Sequence, residues 1–435
     1  MLRYYLDLAL RSLRRSPVQT MLMVLAIGLG IGASMTMLTV LHVMTGDPMP
    51  GRSGELFYPH IDPLPLDYQK SEYGPDPSEN FTWPDAMALL QAHRAKQQAA
   101  MAGGHVLVRP GTADAKPFHA DGRYTTNEFF PMFGLAFRHG HGWSQIDDDA
   151  KARVVVLSEA LSMRLFGSVD SVGRMVRMDD ADLRVIGVTS DWRPQPVFYD
   201  EVSNKAYGDA DGFFVPLSTS MDLHFDTSNN ESSWASYSGD KKSPNLSWLQ
   251  FWVRLEGPDQ VRAYHQFLVD YSAQQKALGR FERPASNAAL YGLMAWMNHQ
   301  KLVPAEVRLQ LWLAMGFLLV CMVNIVALLL AKFLRRSAEI SVRRALGARR
   351  RDIFMQLGME SAMLGLAGGI LGLLLAQLGL WSVRQRPDDY AHLAQMDVRM
   401  LIGTFVLAVV ASLMAGLLPA WRACRIPPAL QLKTL

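Results

Sequence analysis

The sequence predicts an integral membrane α-helical protein: four transmembrane helices with a large mixed α/β extracytoplasmic domain of two lobes. Three observations carry the prediction. Four long stretches hold almost no charge, residues 46–304 form a polar insert between the first two, and arginine and lysine gather on one side of the apolar runs. Whole-chain averages conceal this: 435 residues that are 49% hydrophobic with a formal net charge of +3 describe a soluble protein equally well.

Residues 1–17 place Leu2, Leu6, Ala9, Leu10 and Leu13 at helical spacing among Arg3, Arg11, Arg14 and Arg15. That pattern predicts an amphipathic helix on the cytoplasmic interface rather than a simple basic flank. Transmembrane helix 1 is read at 18–45. Its first 27 residues lack Asp, Glu, Lys and Arg and as a helix extend about 40 Å, against roughly 30 Å of bilayer hydrocarbon. Such a length, with no A-x-A site after it, predicts a retained anchor rather than a signal peptide. Three further spans are read at 305–334, 353–384 and 399–422, the second of these interrupted by Glu360 near its start. A charge at mid-span costs about 2.5–3.5 kcal/mol. Avoiding that cost in four separate stretches argues against buried helices of a soluble core.

Orientation follows from charge. The segment 335–352 and its approach hold Lys332, Arg335, Arg336, Arg343, Arg344, Arg349, Arg350 and Arg351 against Glu339 and Asp352, and the end of the chain adds Arg422, Arg425 and Lys433. By the positive-inside rule these sides are cytoplasmic, so both termini and the tail 423–435 lie inside, while the insert and the short loop 385–398 lie outside.

Within the insert, residues 46–80 read as irregular chain. Thr82-Trp83-Pro84-Asp85 reads as a capped helix start, continuing to about Gln98, with an apolar run at 106–108 beyond it. Residues 154–157 predict a short buried strand ending at Ser158, which caps a helix stopped by Gly167; 183–188 predict another strand. Alternation from Trp248 places Leu249, Phe251, Val253 and Leu255 on one face of a strand, and Pro258 opens a helix carrying Val261, Tyr264, Leu268 and Tyr271. Residues 200–244, rich in Ser, Asn, Asp and Tyr, read as loops with little core. Cys321 and Cys424 both lie in or beside spans, so no disulfide framework is expected in the insert.

Catalytic signatures are missing. No G-x-x-x-x-G-K-[ST], H-E-x-x-H, paired-cysteine or G-x-S-x-G motif occurs, and His139-x-His141 with Asp147 to Asp149 has the composition of an exposed loop rather than a metal site. The reading is therefore of a non-enzymatic chain with no catalytic residue, no metal and no cofactor of its own. Inside the membrane, Gly28-x-x-x-Gly32 and Gly365-x-x-x-Gly369, with Gly368-x-x-x-Gly372, allow close helix approach. Asn324 is expected to turn toward a neighbouring helix and bond there, in preference to contacting a substrate.

The segment between the second and third spans is more than a basic loop. Glu339 and Arg343 form an i,i+4 pair, and Gly347 stops the helix before Ala348 leads into the next one. A short ordered helix below a membrane offers a handle for a partner.

Asn324, Arg335, Glu339-Ile340, Arg343-Arg344-Ala345-Leu346-Gly347-Ala348, Arg351-Asp352-Ile353 and Glu360 before a Gly-rich helix resemble the signature of MacB/FtsX-like ABC transporter permeases. Gly416 to Ala423, with Pro427 and Leu430, is similar to that family's last span and tail. Phe129-Phe130-Pro131-Met132-Phe133-Gly134, Val172-Gly173-Arg174 and Val185-Ile186-Gly187-Val188 resemble its periplasmic domain.

The resemblance implies a multi-pass protein of the bacterial inner membrane. Two copies of a cytoplasmic ABC ATPase on separate chains would hold ATP and Mg, and a second permease subunit, identical or paralogous, would complete the pair. It implies a coupling helix at 335–352, with Glu339, Ile340, Arg343, Arg344, Ala345, Leu346, Gly347 and Ala348 contacting the ATPase. The outer domain would then be a porter-like lobe with an inserted lobe that meets a membrane-fusion adaptor and outer-membrane channel. Membrane lipid surrounds the spans, and no nucleic acid is expected. The implied work is mechanotransmission serving export of peptides, antibiotics or other toxic molecules. Lipoprotein extraction and regulation of a periplasmic hydrolase are the alternatives.

Overall fold

The structure is a computed structural model that describes residues 2–69, 76–110, 116–200, 206–228, 231–236, 239–302, 305–336, 342–343, 347–385 and 398–425. The chain divides into a membrane unit, Met1–Thr45 with Val303–Leu435, and a polar domain, Gly46–Leu302.

In the membrane unit a helix at Leu2–Arg15 precedes four long ones: span one Pro17–Thr45, span two Ala305–Arg335, span three Arg350–Arg384 and span four Val398–Arg425. All four are long and apolar enough to cross a bilayer. Span three packs on spans one and four, and span two packs on the same pair. Glycine sets how closely span three approaches. A Cβ at Gly372 would meet Ile31 at 3.0 Å, and one at Gly365 would meet Ser412 Cβ at 2.7 Å. Two offset glycine stripes on one helix therefore serve two different neighbours.

The polar domain contains β1 (Leu56–His60), β2 (Phe81–Thr82), β3 (Gln97–Arg109), β4 (Phe118–Thr125), β5 (Phe137–Gly140), β6 (Val154–Ser158), β7 (Met175–Met178), β8 (Ala181–Thr189), β9 (Phe213–Pro216), β10 (Ser232–Ser233), β11 (Leu246–Arg254) and β12 (Ala289–Gly292). Their order is β12-β1-β11-β3-β4-β9-β6-β8-β5, with β2 and β10 on β11 and β7 between β3 and β8. Because β7 pairs with both, β3, β4, β9, β6, β8 and β7 form a closed ring. The parts expected as two lobes share β3: residues 97–101 pair with β11, and Val108 and Arg109 pair with β7. One hydrophobic core runs through both.

Thr82 caps the first domain helix, its Oγ1 accepting from the Asp85 N–H at 3.3 Å, and Ser158 caps the Glu159–Phe166 helix through Leu161 N–H. Two expectations need correction. The first helix ends at Ala92, not near Gln98, because His93 turns left-handed (φ +46°) and Gln97 already belongs to β3. The strand expected from Trp248 is β11, with Leu249, Phe251 and Val253 buried as the alternation implies and the residues between them buried as well. Residues 200–244 are not coreless: Phe213, Phe214 and Val215 are buried, and β9 lies between β4 and β6. Four apolar residues suffice for a central strand whatever the polarity around them.

Candidate coupling site

The site is built at the end of the membrane unit where span two finishes and span three begins. Of the residues assigned to ATPase contact, Arg343, Gly347 and Ala348 are described; Glu339, Ile340, Arg344, Ala345 and Leu346 lie outside the described residues. Gly347 has φ +102°, and the Ala348 N–H donates to the Arg343 carbonyl at 3.1 Å. This six-residue closure over a left-handed glycine is the Schellman way to end a helix. Arg349 is extended (φ −72°, ψ 151°), and its N–H donates to Asp352 Oδ2 at 3.1 Å. The carboxylate thus caps span three and faces the positive end of its dipole.

Two links tie this turn to the bundle. Arg343 Nη1 donates to Gln356 Oε1 on span three at 3.0 Å. One turn further along, Glu360 is fully buried with Lys332 Nζ at 2.6 Å and the Arg336 guanidinium at 3.8 Å, both from the end of span two. Ser12 of the first helix donates to Glu360 Oε1 at 2.6 Å and accepts from Arg336. Lys332 and Ser12 are themselves buried. One carboxylate therefore joins three helices. Removing one partner of a buried pair of this kind costs about 3–5 kcal/mol, so the junction holds the three helices together at this point.

The first helix uses two faces. Ala9 and Ser12 are buried, and the helix packs on span three, whereas Leu6 and Leu10 remain exposed. The sequence reading treated Lys332 and Arg336 as topology charges and Glu360 as an interruption. Their convergence was findable from one signal, that a lone acid in an apolar run needs a cation.

Of the proposed helix-interface residues, Gly28 and Gly32 face span three: Cβ atoms there would lie 2.8 Å from Leu371 and Leu375 side chains. Gly365 and Gly369 face span four at Ser412 and Ala408. Asn324 is exposed on span two and makes no hydrogen bond among the described residues; the helix turns Cys321 and Ile325 toward the bundle.

The MacB-like periplasmic core domain matches residues 20–268, and the FtsX-like permease C-terminal domain matches residues 312–428. Over 371 residues the chain is 26% identical to the pyoverdine export ATP-binding/permease protein PvdT of Pseudomonas aeruginosa, covering 82% of this chain and 49% of that protein. It is 24% identical over 344 residues to the macrolide export ATP-binding/permease protein MacB 1/2 of Paracoccus denitrificans, covering 79% and 46%. The chain thus spans about half the length of the curated relatives it matches. Among solved structures, the periplasmic region of MacB from Actinobacillus actinomycetemcomitans aligns over 59% of this chain and 99% of its own length, at 14% identity and TM-score 0.37. The first family match alone covers more than half of the sequence, and the chain belongs to the MacB/FtsX-like family of ABC transporter permeases.

Proposed function

We propose that this permease converts ATP hydrolysis on a partner ATPase into movement of its outer domain, in an exporter of peptides, antibiotics or other toxic molecules. The observation that carries the reading is the Glu360 junction. A push on the turn at Arg343 reaches span three through Gln356, and one turn later reaches span two and the first helix through Glu360. The spans act as levers, and cargo need not pass between them. For the push to do work, the ATPase must bind the two positions of the turn with different affinity.

Two copies of the ATPase bind ATP and Mg on the cytoplasmic side of the bacterial inner membrane. Both termini of the permease are cytoplasmic, and the outer domain meets an adaptor and an outer-membrane channel. Asn324 supports a second permease subunit: an unpaired amide in hydrocarbon is costly, and a facing helix removes the cost.

The test purifies the chain from its native membrane with whatever copurifies. An ABC ATPase together with an adaptor is the expected result; a cell-wall hydrolase in place of the adaptor overturns the export reading, and no ATPase overturns the coupling reading. Arg343→Glu is expected to leave membrane insertion intact while separating ATP hydrolysis from transport. Normal transport by that variant would exclude Arg343 from coupling.

A further inference from the structure

Spans three and four leave an apolar groove of about 270 Å³ at the end that carries the coupling turn. Gly358 and Ala362 of span three and Ala420 of span four line it, together with Met355, Leu413 and Leu417. Gly416 lets the two helices meet there, since its Cβ would lie 2.7 Å from Ser361 Cβ. Gly358 instead faces open space, with no atom within 4 Å of a built Cβ.

Position gives the groove its chemistry. Arg351, Met355, Gly358 and Ala362 follow the i, i+4, i+7, i+11 spacing of one helix stripe. Gly358 lies roughly 10 Å along the axis from Arg351 and Ala362 roughly 17 Å, so the slot reaches about the ~15 Å depth of a single leaflet. Arg351 is exposed and enters no ion pair among the described residues, Arg349 beside it is exposed, and Trp421, also exposed, stands on span four near the same end of the bundle. An apolar slot one leaflet deep thus opens beneath a cationic rim with an interfacial indole.

We propose that this groove binds an anionic phospholipid, one acyl chain lying between spans three and four and the headgroup phosphate on Arg351. A guanidinium offers the phosphate two parallel donors, and the choline cation of a zwitterionic headgroup offsets the attraction to basic residues that a net-negative headgroup keeps. The inference needs only that the helices span a membrane and is independent of what the exporter moves.

Native mass spectrometry of the full chain, purified and exposed to phosphatidylglycerol or phosphatidylcholine of equal chain length, tests it. The unaltered chain should retain phosphatidylglycerol roughly fivefold better, the worth of one basic residue near a membrane surface. Arg351→Gln should abolish the preference while keeping some of both lipids. Gly358→Leu fills the slot without meeting a neighbour and should remove both. Equal retention of the two lipids by the unaltered chain, or undiminished retention by Gly358→Leu, overturns the proposal. A Gly358→Leu chain that keeps lipid but loses a dimer also overturns it, because a second copy then covers the groove.

Discussion

Among the described residues each half of the chain buries an ion network, and the one at Arg123 and the one at Glu360 are inverses. In the polar domain a single cation sits between carboxylates: Arg123, fully buried, lies 2.9 Å from both Asp200 and Asp211, and the Tyr199 hydroxyl donates to Asp211 at 2.9 Å. In the membrane unit a single carboxylate, Glu360, sits between Lys332 and Arg336. The domain network ties Tyr199, Asp200 and Asp211 to one strand within an aromatic core in which Phe129 meets Phe130, Phe133, Tyr199 and Phe214. The membrane network bridges residues 348 positions apart and has little aromatic packing around it. Hydrocarbon gives helices no hydrophobic reason to associate, so close glycine contacts and a polar junction must do what the aromatic core does outside.

The largest effect should come from breaking the domain network. Arg123→Met leaves two part-buried carboxylates facing each other without their cation, and a loss of about 3–5 kcal/mol is expected, read as a fall in the domain's melting temperature. Unchanged melting would mean that Tyr199, Asp200 and Asp211 are held by packing alone. Glu360→Gln keeps the shape and strands Lys332, yet Arg336 is part-exposed and can reach water, so a loss near the lower end of about 3–5 kcal/mol follows. The sharper readout is functional: ATP hydrolysis by the copurified ATPase should persist while transport falls. Transport equal to that of the unaltered chain would remove the junction from the lever.

Glycine packing ranks next. Gly365→Leu drives a side chain into Ser412 and should cost about 1–3 kcal/mol, seen as earlier loss of helicity in detergent, whereas Gly358→Leu on the same helix should be tolerated. The smallest effect is a pH dependence confined to the polar domain. Burial pushes Asp148 up to about 7, although the Asn127 N–H donates to it at 2.9 Å. Between about pH 4 and pH 7 the native domain keeps a proton that the unfolded chain has released, so stability declines as pH rises through that window and levels off above it. From about pH 6 to about pH 8 the decline should be about 1 kcal/mol, and Asp148→Asn should flatten it. An unaltered slope in that variant would move the titration to another group.

Much of this was legible beforehand because it is local. Charge-free runs, the cap at Thr82, the cap at Ser158 and the stops at Gly167 and Gly347 depend on residues within one turn of each other. The errors arose where distant chain intervened. Polar surroundings hid β9, and the turn at His93 was chosen by the pairing of β3 rather than by helix propensity.

By itself the sequence determined the spans, the side on which positive charge collects, the capped elements of the insert and the family signature around Arg343, since each rests on short-range periodicity or on transfer of single residues into hydrocarbon. Tertiary structure alone decided that Ser12, Lys332, Arg336 and Glu360 meet, that span three turns different glycine stripes to spans one and four, and that β7 closes a ring with β3 and β8. Those are pairings between segments far apart in the chain, and their free energy exists only once the intervening chain has been brought together.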